Sequence, residues 1–341
     1  MPKPFLALAV FAVLFGLFAL PVAAAEDVTA RVLRNGTVRC AVDMTPGFSQ
    51  ISPTGEAQGF DIDFCRAVAA AVLGDAGRIS AQRINTANKF KAVATGDVDI
   101  ALGMATWTYS RDTALGVQFP AVQFHDGQGF MAWADSGIKS LSDAKGASVC
   151  VQSQTTSIDT LKSGNARNRW GIKLVETPSS EEKWNAFAAH KCALVTGDRS
   201  ELAARRGTLA SNPKLWTLLP ETISREPLGP VVTAADDRWF SIVRWVVLTT
   251  QIAEARGVTS TTVATLQDNG DGELARLSGH DPDFGKSLGL DPYWASRVIA
   301  QVGNYGEIYN RNLGPRGSVT LDRGQNALWT DGGLFFPPPL R

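Results

Sequence analysis

The sequence predicts an α/β protein built as two similar lobes. Three observations carry that prediction. Strand-like and helix-like segments alternate between residues 38 and 105. The same order returns between residues 147 and 206, without any repeat of the sequence itself. The chain has 341 residues, enough for two domains of ordinary size. Its composition is globular, with 44% hydrophobic residues and 33 basic against 33 acidic side chains. That balance excludes a disordered chain and argues against nucleic-acid binding, which needs clustered excess cation.

The elements follow in order. Val38–Val42 alternates and is β-branched, so it reads as a strand ended by Thr45-Pro46-Gly47. Asp61 is expected to cap an apolar-periodic helix from Ile62 to Leu73, stopped by Gly74-Asp75. Arg78–Ile84 reads as a strand, Asn88–Thr95 as a short helix closed by Gly96, and Val98–Leu102 as a third strand. The second cycle has strands at Ala147–Gln152, Lys173–Glu176 and Cys192–Thr196. Helices are expected from Thr155, over Ser180–His190 and from Ser200. Two long helices follow, at Trp239–Glu254 and Asp291–Tyr309, before a Gly- and Pro-rich tail from Gly314.

The N-terminus reads as a secretory leader. Lys3 is the one charged residue before Glu26, Phe5–Leu20 is an apolar run of 16 residues, and Ala23-Ala24-Ala25 offers a cleavage site. A membrane anchor usually needs about 20 apolar residues. Cleavage after Ala25 is expected, leaving a 316-residue secreted body with 32 basic and 33 acidic side chains. No Cys directly follows the apolar run at the expected cleavage site, so lipid attachment is not expected.

Export changes how the cysteines read. Cys40, Cys65, Cys150 and Cys192 form an even set in an oxidising compartment, which points to two disulfides. Of three connectivities, Cys40–Cys65 with Cys150–Cys192 keeps each bridge local and non-overlapping. Each would add about 3–4 kcal/mol through loop-closure entropy, less any strain. The spacings do not suit zinc, and His125, His190 and His280 are scattered, so neither metal nor cofactor is expected.

In α/β lobes, ligands bind outside the carboxyl ends of parallel strands. Four loops are thereby picked out, two from each lobe. The first holds Asp43 and Phe48, the second Thr106, Thr108 and Arg111. The third holds Thr155 and Thr156 at a helix start, and the fourth holds Asp198. Arg111 offers a planar cationic fork for a carboxylate. The threonines offer hydroxyls, and the helix start adds N–H donors and a favourable dipole. Asp43 and Asp198 are acceptors for an ammonium. Together they suit an amino acid zwitterion. Plainer roles exist beside these: Thr155 and Asp198 as helix caps, Arg111-Asp112 as a surface pair, Trp107 as core.

Several motifs carry a resemblance to a known family. Gly59-Phe60-Asp61-Ile62-Asp63-Phe64 and Thr106-Trp107-Thr108-Tyr109-Ser110-Arg111 suit the periplasmic amino-acid-binding proteins of ABC transporters. Gln301-Val302-Gly303-Asn304-Tyr305-Gly306-Glu307-Ile308 and Asn326-Ala327-Leu328-Trp329-Thr330 resemble the general L-amino acid-binding subgroup. The likeness spans the whole mature chain. It implies a type II periplasmic-binding fold with a ligand cleft between two lobes and a two-strand hinge. Lobe 1 would be residues 26–132 with 230–341, and lobe 2 residues 133–229, with crossovers near Ala132–Asp135 and Ile223–Pro230. It also implies that Arg111, Thr108 and Thr156 hold the ligand carboxylate, Asp198 the α-ammonium, and Phe48 the side chain. One departure stands out: Gln154 occupies the place where the family usually has Gly.

The resemblance implies a monomeric periplasmic receptor that captures L-amino acids by lobe closure and delivers them to a membrane ABC permease. Two rivals share the fold: an amino-acid sensor and a dehydratase-like enzyme. No histidine lies in the four loops and no carboxylate pair is poised for acid–base work, so catalysis is not expected.

Overall fold

The computed structural model describes residues 27–209, 212–267, 270–317 and 319–341. The expected leader, residues 1–25, lies outside the described residues. Two sheets organise the chain. The first is parallel, with Val38–Val42 between Ile79–Arg83 and Ile100–Ala101. The second has five strands, in the order Lys173–Thr177, Ser148–Gln152, Leu194–Asp198, Gln128–Trp133, Trp216–Leu218. Its first three are parallel, and the last two each run antiparallel to their neighbours. Both cycles of alternation therefore yield a parallel three-stranded set, as expected.

The link between the sheets is a separate antiparallel pair, Phe124–Asp126 with Glu226–Leu228, in which Asp126 faces Glu226. This corrects the expected first crossover at Ala132–Asp135. Residues 128–132, assigned by sequence to lobe 1, hydrogen-bond inside the second sheet instead, in the strand Gln128–Trp133. That strand enters the sheet directly from the link and is followed by a single 3-10 turn, Ala134–Ser136, not by an α-helix, so the alternation rule passes over it. The other strand of the pair, Glu226–Leu228, lies within residues 223–230.

Several helix ends shift for physical reasons. The helix after the first strand runs Phe60–Leu73 from a Gly59 cap, so Asp61 lies inside its first turn and is buried, not capping. The next helix, Thr86–Ala94, begins at Asn85, whose side chain accepts the Asn88 N–H. The expected helix Asp291–Tyr309 is two, Trp294–Val302 and Tyr305–Asn312, broken at Gly303. Asn304 and Glu307 form a reciprocal capping box that starts the second. The long helix Asp237–Ala255 buries the face the sequence marks, Trp239, Ile242, Val243, Val246 and Val247, against the first sheet's core.

Each lobe carries one cross-link. Cys40, in the central strand of the first sheet, bonds Cys65 in the helix that covers it. Cys150 bonds Cys192 across neighbouring segments of the second lobe. The expected pairing is the observed one. The C-terminal tail returns to the link, where the Asn326 amide pairs with the backbone N–H and carbonyl of His125 at 2.6 and 3.0 Å.

Candidate ligand-binding cleft

The strand ends of the two sheets face one another across a cavity of about 60 Å3. Six of the eight ligand residues expected from sequence line it: Asp43, Thr106 and Arg111 from the first lobe, Thr155, Thr156 and Asp198 from the second. A larger groove, about 870 Å3, runs along the link and the C-terminal tail and shares none of these lining residues. The smaller cavity is the one at the strand ends, where the topology concentrates free backbone donors. Two contacts bridge the lobes. Arg205 Nη2 donates to the Met44 carbonyl at 2.7 Å, and Arg83 pairs with Glu181 at 3.2 Å.

The first lobe supplies the cationic side. Arg111 stands in the helix Tyr109–Ala114, its Nη1 donating to the Thr106 carbonyl at 2.9 Å and its guanidinium carbon 4.8 Å from the Phe90 ring. That backing fixes the fork while leaving its remaining donors for a guest. Burial pulls the guanidinium below its ordinary value, against the attraction of Glu226, Asp198 and Asp159. Thr108 does not line the cavity. Its hydroxyl accepts the Arg111 N–H at 3.3 Å, so it starts the helix that presents Arg111. Asp43 follows the first strand and accepts the Thr86 hydroxyl at 3.0 Å. Gly103 (φ +94°) permits this close approach of loops, since a Cβ there would lie 2.6 Å from the Asp43 nitrogen.

Phe48 is a second correction. It is 1% exposed and packs edge-on against Phe60 and Phe124, with ring centroids at 5.9 and 5.2 Å. The loop after the first strand folds back, with the Phe48 N–H donating to the Thr45 carbonyl at 3.0 Å, and turns the ring into the core. Trp107 is exposed, stacked on Phe119, and borders the link groove, not the cleft.

The second lobe supplies the anionic side and a helix start. Thr155 precedes the helix Thr156–Asn168, but its hydroxyl donates to the Gln152 carbonyl at 2.7 Å, so no side chain caps the first N–H groups. They remain available to an anion. Thr156 Oγ1 donates to Glu226 at 3.2 Å. Gln154 adopts a positive φ of 58° with its side chain exposed and outside the cavity lining. The departure from Gly is thus a backbone matter and leaves the pocket's width untouched.

Asp198 ends its strand without capping the next helix. The Ser200 N–H at that helix start turns to Asp126 instead, at 3.3 and 3.4 Å. Among the described residues neither Asp198 nor Arg111 has an ion-pair partner within 4.0 Å. Burial pushes the Asp198 carboxyl well up, reinforced by Asp126, Glu226 and Glu201 and only partly offset by Lys183. An arriving ammonium would favour its ionised form. Burial likewise raises Asp126 to about 6, in spite of its hydrogen bonds from Ser200 and Gly127.

Sequence reasoning missed the cleft floor. Lys183 and Glu201 pair at 2.8 Å with side chains 4% and 11% exposed. Glu201 also accepts the Trp184 indole and Ser180 hydroxyl, each at 2.9 Å. Burial would raise Glu201, but Lys183, Arg205 and these bonds outweigh it and hold the carboxyl at about 2. Gly197 makes the approach possible, since a Cβ there would meet Glu201 Oε2 at 2.6 Å. A cation beside a buried tryptophan in the helix Ser180–Ala188 is the signal that could have found this pair.

Comparison with known proteins shows the family and the fold. The chain is 39% identical over 322 residues to the general L-amino acid-binding periplasmic protein AapJ of Rhizobium johnstonii, covering 94% of each. It is 41% identical over 320 residues to the glutamate/glutamine/aspartate/asparagine-binding protein BztA of Rhodobacter capsulatus, covering 93% of each. An ABC transporter periplasmic binding protein from Brucella ovis, solved with glutathione bound, superposes with a TM-score of 0.89 at 36% identity. That match covers 93% of this chain and 100% of the other. Residues 38–288 match the family description, and the chain belongs to the bacterial extracellular solute-binding proteins, family 3.

Proposed function

We propose that this protein captures L-amino acids in the periplasm by closing its two lobes and hands them to a membrane ABC permease. One observation carries the reading. Two opposite charges without an ion-pair partner within 4.0 Å among the described residues, Arg111 from one lobe and Asp198 from the other, share a cavity that both lobes close. A zwitterion satisfies both at once only when the lobes meet, so binding energy and closure are the same event. Thr156 and the adjoining helix start assist Arg111 with the carboxylate. Asp43 and Thr86 stand at the side-chain end and favour donors, so glutamine and asparagine should bind more tightly than their acids. The names of AapJ and BztA support amino acids as the guest class.

The lobes divide, on this reading, at the strand pair Phe124–Asp126 and Glu226–Leu228, with residues 127–225 as lobe 2. The site is complete within one chain, so a monomer suffices. Cleavage after Ala25 would deliver the mature chain to the periplasm, which mass spectrometry of the exported protein checks directly.

A thermal-shift panel of the twenty L-amino acids tests the function. Binding partners raise the melting temperature with the logarithm of concentration over Kd. Arg111→Ala should weaken every binder about 100-fold by calorimetry, since charge-assisted bonds contribute about 1.5–3 kcal/mol each. Unchanged affinity in that variant sinks the assignment.

A further inference from the structure

Glu226 lies at the centre of the link between the lobes and is 2% exposed. Its two oxygens accept the Ser224 hydroxyl at 2.6 Å and the Thr156 hydroxyl at 3.2 Å. No Lys or Arg pairs with it within 4.0 Å among the described residues. Of the carboxylates acting on Arg111 it exerts the strongest attraction, ahead of Asp198 and Asp159. Glu226 therefore engages both groups that the proposed function assigns to the ligand carboxylate, one by a hydrogen bond and one by its field. It does not line the cavity itself but stands behind it, on the strand that joins the lobes.

From this geometry we infer that Glu226 is a positioning residue that acts as an internal stand-in for the ligand carboxylate, occupying Thr156 and countering Arg111 from within the hinge. A charge buried beside an incoming charge of the same sign repels it, and little water intervenes to screen the pair. Ligand capture must then proceed against Glu226, which lowers affinity and keeps the cationic site from retaining its guest. For a carrier that must release what it binds, a built-in competitor sets the release rate. The inference rests on the amino-acid reading above.

Glu226→Gln tests it, because the amide keeps both hydroxyl partners and removes only the charge. Calorimetry would use the L-amino acid that binds wild-type protein most tightly in the panel and, in parallel, its α-carboxamide (L-glutaminamide where that is L-glutamine). The expected result is about tenfold tighter binding of the amino acid, equivalent to about 1.4 kcal/mol, with slower dissociation in stopped flow. The carboxamide should show no such gain. Glu226→Asp, which retracts the charge by one methylene, should move in the same direction by about threefold and covers the case in which Glu226→Gln does not fold. A merely structural role would weaken binding in both variants. Weaker or unchanged binding of the amino acid overturns the inference. If Arg111→Ala still abolishes binding in that event, the amino-acid reading survives without it. Wild-type protein that binds none of the twenty overturns both.

Discussion

The floor of the cleft and its two poles use the same kinds of side chain for opposite ends. At the floor, Lys183 and Glu201 neutralise each other at 2.8 Å, and Trp184 and Ser180 satisfy what remains. At the poles, Arg111 and Asp198 stand on their own lobes and, among the described residues, have no ion-pair partner within 4.0 Å. A buried charge satisfied within the protein specifies the scaffold. A buried charge left facing a cavity specifies a guest. The contrast also appears in the carboxyls: Glu201 is held at about 2, while burial drives Asp198 up among its acidic neighbours.

Breaking the floor should give the largest effect. Lys183→Met leaves Glu201 buried without its cation, and removing one partner of such a pair typically costs about 3–5 kcal/mol of stability. Urea unfolding measures it, and a loss under about 1 kcal/mol would mean the floor is not a scaffold. The same pair predicts an acid limb. Glu201 is depressed in the folded state, so its contribution is present above the unfolded value of about 4.3 and fades as pH falls towards about 2. Wild-type melting should therefore drop over that window, and less so in Lys183→Met.

Asp198→Asn should move two readouts in opposite directions. It removes repulsion with Asp126, Glu226 and Glu201, so the unliganded protein should melt higher. It also removes the acceptor for the ammonium, so amino-acid affinity should fall about 30-fold, about 2 kcal/mol. A variant that lost stability as well as affinity would place Asp198 with the floor. The smallest effect sits outside both regions. Gln154→Gly relieves a left-handed backbone at an exposed position and should stabilise the protein by about 1 kcal/mol, with binding unchanged. Chemical denaturation alongside calorimetry decides it, and no stabilisation would mean that the turn tolerates the side chain without strain.

The sequence exposed most of the poles and none of the floor. Asp43, Arg111, Thr155 and Asp198 sit where strand alternation says a ligand should sit, so topology alone finds them. Lys183 and Glu201 lie on two helices that come together only in the folded lobe, and each alone looks like a solvated helix charge. Phe48 failed for a related reason: a loop aromatic carries no local sign of which way its ring turns. Gln128–Trp133 has a strand's pattern but no α-helix after it, so the lobe boundary slipped past it. The break at Gly303 was legible, since Asn304 and Glu307 spell a capping box, but the apolar periodicity on either side overrode it.

The two disulfides divide the molecule in a way that bears on how it can be handled. The loop closed by Cys40 and Cys65 ends before the first link strand at Phe124, and the loop closed by Cys150 and Cys192 falls wholly between the two link strands. As a covalent graph, the chain is two ringed bodies whose connection is main chain alone. Reductant should therefore lower the melting temperature of each body while leaving amino-acid Kd, measured well below melting, where it was. A carrier wired in this way can be tempered against a harsh compartment without stiffening the joint on which delivery depends.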